Sequence, residues 1–181
     1  TLLRSKESSV VDKSGTTALM YAAVLNRVDI IHVLINDLIL KADEDGTTAL
    51  MHAAVFNRTD AVRILVNYEA KLTDSNSLTA LHHAVVHNHI EVVKLLVPSE
   101  YSMRDSCGRT ALYRAIELGY LNLVQVLGPV EKDGPLPTGW TRLMVCAIAN
   151  KVDCFSQYIH EAKSFTPSGE TALILAVQYS T

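Results

Sequence analysis

The densest run of chemically capable side chains is His82-His83-Ala84-Val85-Val86-His87-Asn88-His89, in which His83 and His87 stand four residues apart on one helical face. Two histidines at that spacing can share a metal, as in the helix of zinc proteases. That motif needs a glutamate directly after its first histidine, and Ala84 stands there. No third ligand accompanies the pair, so structural and surface roles are the reading, and neither a metal nor a cofactor is expected. The three cysteines fall at unrelated spacings: Cys107 at a turn tip beside Gly108 and Arg109, Cys146 in a small packed slot, Cys154 at an apolar helix position. There is no Gly-rich phosphate loop, no Gly-x-Ser-x-Gly elbow and no carboxylate pair set apart from the turn aspartates, so these residues are read as carrying no active site.

The elements that position these side chains come from a chain able to bury a core: 181 residues, 49% hydrophobic and 19% charged, enough for one domain. Sixteen basic residues against nineteen acidic ones give a net charge of −3. The basic residues are scattered from Arg4 to Lys163, which argues against nucleic acid or an anionic membrane as partner. Apolar runs such as Ala18 to Leu25 stop short of the roughly 18–20 residues that cross a bilayer, so no membrane insertion is expected. An odd cysteine count and an opening without a charged, then apolar, leader point to a reducing, cytoplasmic setting, in which the Asn57-Arg58-Thr59 sequon is a chance match.

The dominant signal is internal repetition. Thr-Ala-Leu occurs at Thr17, Thr48, Thr79, Thr110 and Thr171, with Thr141-Arg142-Leu143 between the last two, at intervals of 31, 31, 31, 31 and 30. Two residues before the threonines stand Gly15, Gly46, Ser77, Gly108, Gly139 and Gly169, and three before those stand Asp12, Asp43, Asp74 and Asp105. This is turn chemistry: aspartate bonds its own backbone and glycine accepts positive φ. Each threonine is placed to cap a short helix, which Asn26, Asn57, Asn88, Gly119 and Asn150 end in the left-handed conformation. Small pairs such as Ala22-Ala23 and Ala53-Ala54 let these helices approach. A second helix comes next, with Asp29, Asp60, Glu91 and Asp153 in its first turn, Asn122 as a neutral alternative, and apolar stripes such as Ile30-Ile31, Val33-Leu34-Ile35 read as core. The second helix of the fourth repeat meets Gly128-Pro129, with a longer, stiffer connection expected through Pro137, and Gln157-Tyr158 should leave the second helix of the fifth less well packed.

Turn, short helix, left-handed stop and second helix at this period resemble the ankyrin-repeat family, whose Thr-Pro-Leu-His signature appears here as Thr-Ala-Leu followed by Met20, Met51, His82, Tyr113 or Ile174. The resemblance implies an all-α solenoid of stacked helix-turn-helix units joined by β-turn or hairpin-like loops. The expected division is a single array: partial repeat 1–11; repeats 12–42, 43–73, 74–104, 105–135 and 136–165; partial repeat 166–181. Leu2-Leu3 align with Val33-Leu34, and Thr181 precedes the place of a further second helix, so the chain is expected to be a piece of a longer array. At His82 the resemblance implies a structural hydrogen bond, and it matches His89 to the histidine just past the helix stop.

The resemblance also implies function. Turn tips and first helices of this family form a concave face that grips other proteins. Projected onto this chain, the face takes Arg109 and Trp140 at the tips and, four and eight residues after each threonine, Tyr21 and Leu25, His52 and Phe56, His83 and His87, Arg114 and Leu118, Val145 and Ala149. The expected partner-binding residues are Trp140, Arg109, Arg114, Phe56, Leu25, Tyr21, His52, His83 and His87, with Trp140 alternatively folding onto Pro135-Leu136-Pro137. The expected function is a non-catalytic, monomeric scaffold for a protein partner. Short units of this type also resemble arrays joined to protein kinases, which gives the alternative of a regulatory or targeting arm of a larger enzyme.

Overall fold

The computed structural model describes residues 11–132, 134–149 and 155–179, the side chains of 155 and 156 excepted. The readings placed on Leu2, Leu3, Asn150, Asp153, Cys154 and Thr181 lie outside these residues. The described residues are helices and turns, with isolated bridges pairing Val11 with Thr17 and Ala42 with Thr48 as short hairpin-like loops. The chain divides into two compact bodies, residues 1–108 and 109–181.

In the N-terminal body three pairs recur: α1 (Ala18–Val24) with α2 (Val28–Leu38), α3 (Ala49–Val55) with α4 (Thr59–Glu69), and α5 (Ala80–Val86) with α6 (Ile90–Glu100). Seven residues are too few for a helix to persist alone in water. The inner helices α1, α3 and α5 therefore lean on one another and on their partners through Leu19, Leu50 and Leu81 and through the small residues Ala22-Ala23, Ala53-Ala54 and Ala84-Val85, all buried.

Local chemistry fixes where each element starts and stops. One oxygen of each turn aspartate accepts two backbone N–H groups: Asp43 Oδ1 from Asp45 at 3.0 Å and Thr47 at 2.8 Å, with Asp12 and Asp74 alike. Successive tips are stitched together, Glu44 N–H donating to Ser14 O at 3.0 Å and Ser75 N–H to Asp45 O at 3.0 Å. Gly46 serves this twice, with a φ of 80° and a position where a Cβ would stand 3.0 Å from Ser75 N. Thr17 and Thr48 cap α1 and α3, and their own N–H groups reach the sulfurs of Met20 at 3.3 Å and Met51 at 3.5 Å. At α5, Thr79 N–H donates to His82 Nδ1 at 3.3 Å, the bond that the resemblance implied. Asn26, Asn57 and Asn88 end the inner helices at φ of 55–57°.

A feature unread in the sequence recurs at the ends of the outer helices. Glu69 and Glu100 are each 1% exposed. Glu69 accepts the N–H groups of Leu40 at 3.1 Å and Leu50 at 2.7 Å, and Glu100 those of Lys71 at 3.0 Å and Leu81 at 2.7 Å. Burial pushes both carboxyls above the ordinary glutamate value, against the opposing pull of these bonds. The apolar stripe of α2 is also narrower than its sequence reading. Ile31, Ile35 and Leu38 are buried at i, i+4 and i+7, whereas Ile30 and Val33, about 100° or more around the helix, are exposed.

In the C-terminal body α7 (Ala111–Glu117) packs on α8 (Leu121–Leu127), and α9 (Arg142–Ile148) packs on α8, on α10 (Phe155–Tyr158) and on α11 (Ala172–Tyr179). The caps hold here too: Thr110 and Thr141 accept from Tyr113 and Met144, and Thr171 from Ile174. The outer element of the fourth repeat is shorter than those of the N-terminal body. α8 ends before Gly128-Pro129, and α10, described from Phe155 on, gives way to a 3₁₀ turn over Ile159–Glu161. Glu131 and Glu161 accept from Leu112 and Leu143, as Glu69 and Glu100 do from Leu50 and Leu81. Arg142, where other repeats have alanine, donates to the carbonyls of Glu131 and Gly134 and pins the connection before α9. Cys146 is buried in the packed slot read for it.

Candidate interaction surface

In the N-terminal body the fourth residue after each threonine turns back to the aspartate that opens its repeat. Tyr21 O–H donates to Asp12 Oδ2 at 2.7 Å, and the Nε2 atoms of His52 and His83 lie 3.0 Å from Asp43 Oδ2 and Asp74 Oδ2. A carboxylate only accepts, so both imidazoles donate from Nε2. The aspartate thus uses one oxygen for its turn and the other for the inner helix. The Ser14 and Tyr21 hydroxyls hold Asp12 well below the usual carboxylate range, and Asp12 in turn raises the Tyr21 phenol. Burial lowers His83 in spite of its bond to Asp74. The polar ends of Tyr21, His52 and His83 are therefore engaged within their own repeats, and the Tyr21 ring is about half exposed. Sequence reasoning placed these three on one face but missed their partners, although an aspartate stands nine residues before each of them.

The residues eight after each threonine behave differently. Leu25, Phe56 and His87 each close an inner helix as its C-cap, and α1, α3 and α5 pack side by side, so the three recur at equivalent places. Leu25 is 65% and Phe56 47% exposed. His87 is exposed and stacks on His89 with ring centroids 5.9 Å apart, while His89 Nε2 donates to Val55 O at 2.9 Å. The histidine-rich run is thereby distributed: His82 at the cap, His83 on Asp74, His89 on the neighbouring repeat, His87 outward. Among the described residues no three His, Cys, Asp or Glu side chains are grouped to hold a metal ion.

In the C-terminal body Glu117 brings two of the expected residues together, its carboxylate 3.7 Å from Arg109 Nη1 and accepting from Arg114 Nη1 at 3.1 Å. Glu117 also lines a cleft of about 460 Å³ with Trp140, Leu118, Leu121, Pro137, Pro167 and Glu170. Trp140 is half-buried, and its backbone N–H closes a turn onto Pro137 O at 3.0 Å. Val145, projected outward from the sequence, is buried instead. Gly128 brings α8 so close that a Cβ there would stand 2.7 Å from Val145 Cγ1.

Among the described residues no helix is long and apolar enough to cross a membrane. A model of ankyrin repeats in three copies matches residues 1–76 and 66–134. No curated protein matches the chain. The capped inner helices, left-handed stops and stitched turn tips of the N-terminal body lie within the matched residues, and ankyrin repeats are in general protein–protein interaction modules. The chain belongs to the ankyrin-repeat family.

Proposed function

We propose that this chain is a non-catalytic scaffold that binds a segment of a protein partner along the face made by its turn tips and inner helices. The observation that carries this reading is the exposure of Leu25 and Phe56 at equivalent positions of consecutive inner helices whose other apolar residues are largely buried. Apolar side chains held outward on a packed frame lose little freedom when a partner covers them, and a few such anchors supply most of an interface's affinity. In the C-terminal body Trp140 is the matching anchor, standing in a cleft beside the Glu117 carboxylate that holds Arg109 and Arg114. Tyr21, His52 and His83 contribute ring surface, and His87 an exposed edge. The scaffold acts as a monomer in the cytoplasm, a setting that its odd count of three cysteines favours.

The test is capture from a lysate of the source cell, comparing the parent with a Trp140→Ala, Phe56→Ala double variant of matched helical circular dichroism. A partner held by the parent and lost by the variant supports the face, with Trp140→Ala alone weakening binding by about 2 kcal/mol or more. Capture of the same protein equally by both overturns it.

A further inference from the structure

We infer that Glu69 and Glu100 are clasps by which each repeat secures the end of the repeat before it, so that the outer helices α2 and α4 are completed only by their successors. Just beyond α2 and α4 the chain turns through Leu40 at a φ of 64° and Lys71 at 70°. In this left-handed region a Cβ crowds the backbone and glycine is the ordinary occupant, yet neither repeat supplies one. Both strained residues have their N–H groups taken by a carboxylate from the following repeat: Leu40 by Glu69 Oε1 at 3.1 Å, Lys71 by Glu100 Oε1 at 3.0 Å.

The other oxygen of each carboxylate accepts the N–H of Leu50 or Leu81, in the first turn of its own repeat's inner helix, at 2.7 Å. One side chain thus joins the stop of one repeat to the start of the next, and it needs two acceptor oxygens to do so. Glutamine offers one oxygen and presents a donor to the second N–H. The first repeat has Leu38 at the equivalent place, 21 residues after its threonine, so the device begins with the second repeat and runs in one direction. Neither clasp residue is part of the binding face, so this inference stands apart from the proposed function.

Hydrogen exchange followed by NMR tests it. In Glu69→Gln the amides of Ile35, Leu38 and Ile39 are expected to exchange at least tenfold faster, while those of α6 keep their native rates. Adding Leu40→Gly to Glu69→Gln is expected to slow the α2 amides again at least threefold, because glycine adopts that φ without strain. Faster exchange confined to α3 and α4, an even rise through all helices, or no rescue by Leu40→Gly overturns the inference. Glu100→Gln with Lys71→Gly repeats the test at the next junction. Should neither glutamine variant fold, the native protein still decides: slow exchange of the Leu40 and Lys71 amides, both on exposed loop residues, is expected, and fast exchange of both overturns the clasp.

Discussion

The two bodies are built from one motif and differ in their outer helices. The inner helices α1, α3, α5, α7 and α9 all run seven residues behind a capping threonine. The outer helices run eleven residues in α2, α4 and α6, but seven in α8, and α10, described from Phe155 on, gives way to a 3₁₀ turn at Ile159. The inner element is therefore set by chemistry contained within about ten residues of its threonine. The outer one depends on the residues at its end and on bonds to a neighbouring repeat. Proline alone does not decide the outcome: Pro98 lies inside α6, which still reaches Glu100, whereas α8 meets Gly128 and Pro129 together and stops. In α6 the helix end is held by Glu100 on Leu81 and Lys71.

Paired substitutions can break or sharpen this contrast. The largest effect is expected for Leu65→Ala in α4, about 2–5 kcal/mol by urea denaturation. Leu127→Ala, at the same fully buried position of α8, should cost less, because Leu127 ends its helix and the chain beyond it can settle into the space. Equal losses would mean that the shortened helix is as firmly packed as the full one. Next comes Gly46→Ala, which adds a close approach to Ser75 N on top of about 1–2 kcal/mol of left-handed strain. Gly169→Ala, with nothing within 4 Å of its Cβ, carries the strain alone. Thermal unfolding that ranks Gly169→Ala as the more damaging would contradict the stitched tips. Smaller again, Thr48→Ala and Thr110→Ala should each cost about 1 kcal/mol, since the cap is what the bodies share.

The smallest expected effect is a change of slope with pH. His83 has its folded value depressed by burial, so its contribution to stability is present above the ordinary 6.5 and is lost as pH falls through the lower folded value. Glu69 and Glu100 have theirs raised, so their contribution is present below the ordinary 4.5 and is lost as pH rises through the folded values. Stability measured against pH should lose its decline just below pH 6.5 in His83→Gln while the opposite slope above 4.5 persists. A variant profile superimposable on the native one would show that His83 titrates alike folded and unfolded.

Much of this was legible because it is local. Asp43 with Gly46, Thr48 as a cap and Asn57 as a stop are each decided by neighbours a few residues away, and repetition confirms them. The features that escaped reading needed either a second repeat or a second role. Glu69, Glu100 and Glu131 fall 31 residues apart, a register as regular as that of the threonines, yet a glutamate ending a helix reads as an ordinary solvated charge until its distant N–H partners are known. Val145 looked like a face residue because nothing in its own helix reveals that Gly128 admits α8 so closely. Leu25 and Phe56 are exposed, and a C-cap eight residues past the threonine is geometry that the repeat itself fixes.

The cap partners of the first three inner helices differ by element. Met20 and Met51 receive the threonine N–H on sulfur, whereas His82 receives it on a ring nitrogen. A thioether takes up no proton, so acid leaves the first two caps alone. At the third cap the Thr79 hydroxyl also lies 3.0 Å from His82 Nδ1, so one ring nitrogen meets both the N–H and the hydroxyl of the threonine. Oxidants single out the first two caps, since conversion to the sulfoxide would place a polar, bulkier group where Met20 and Met51 are sealed in the core. Adjacent repeats of nearly identical backbone thus differ in how oxidation would reach their caps.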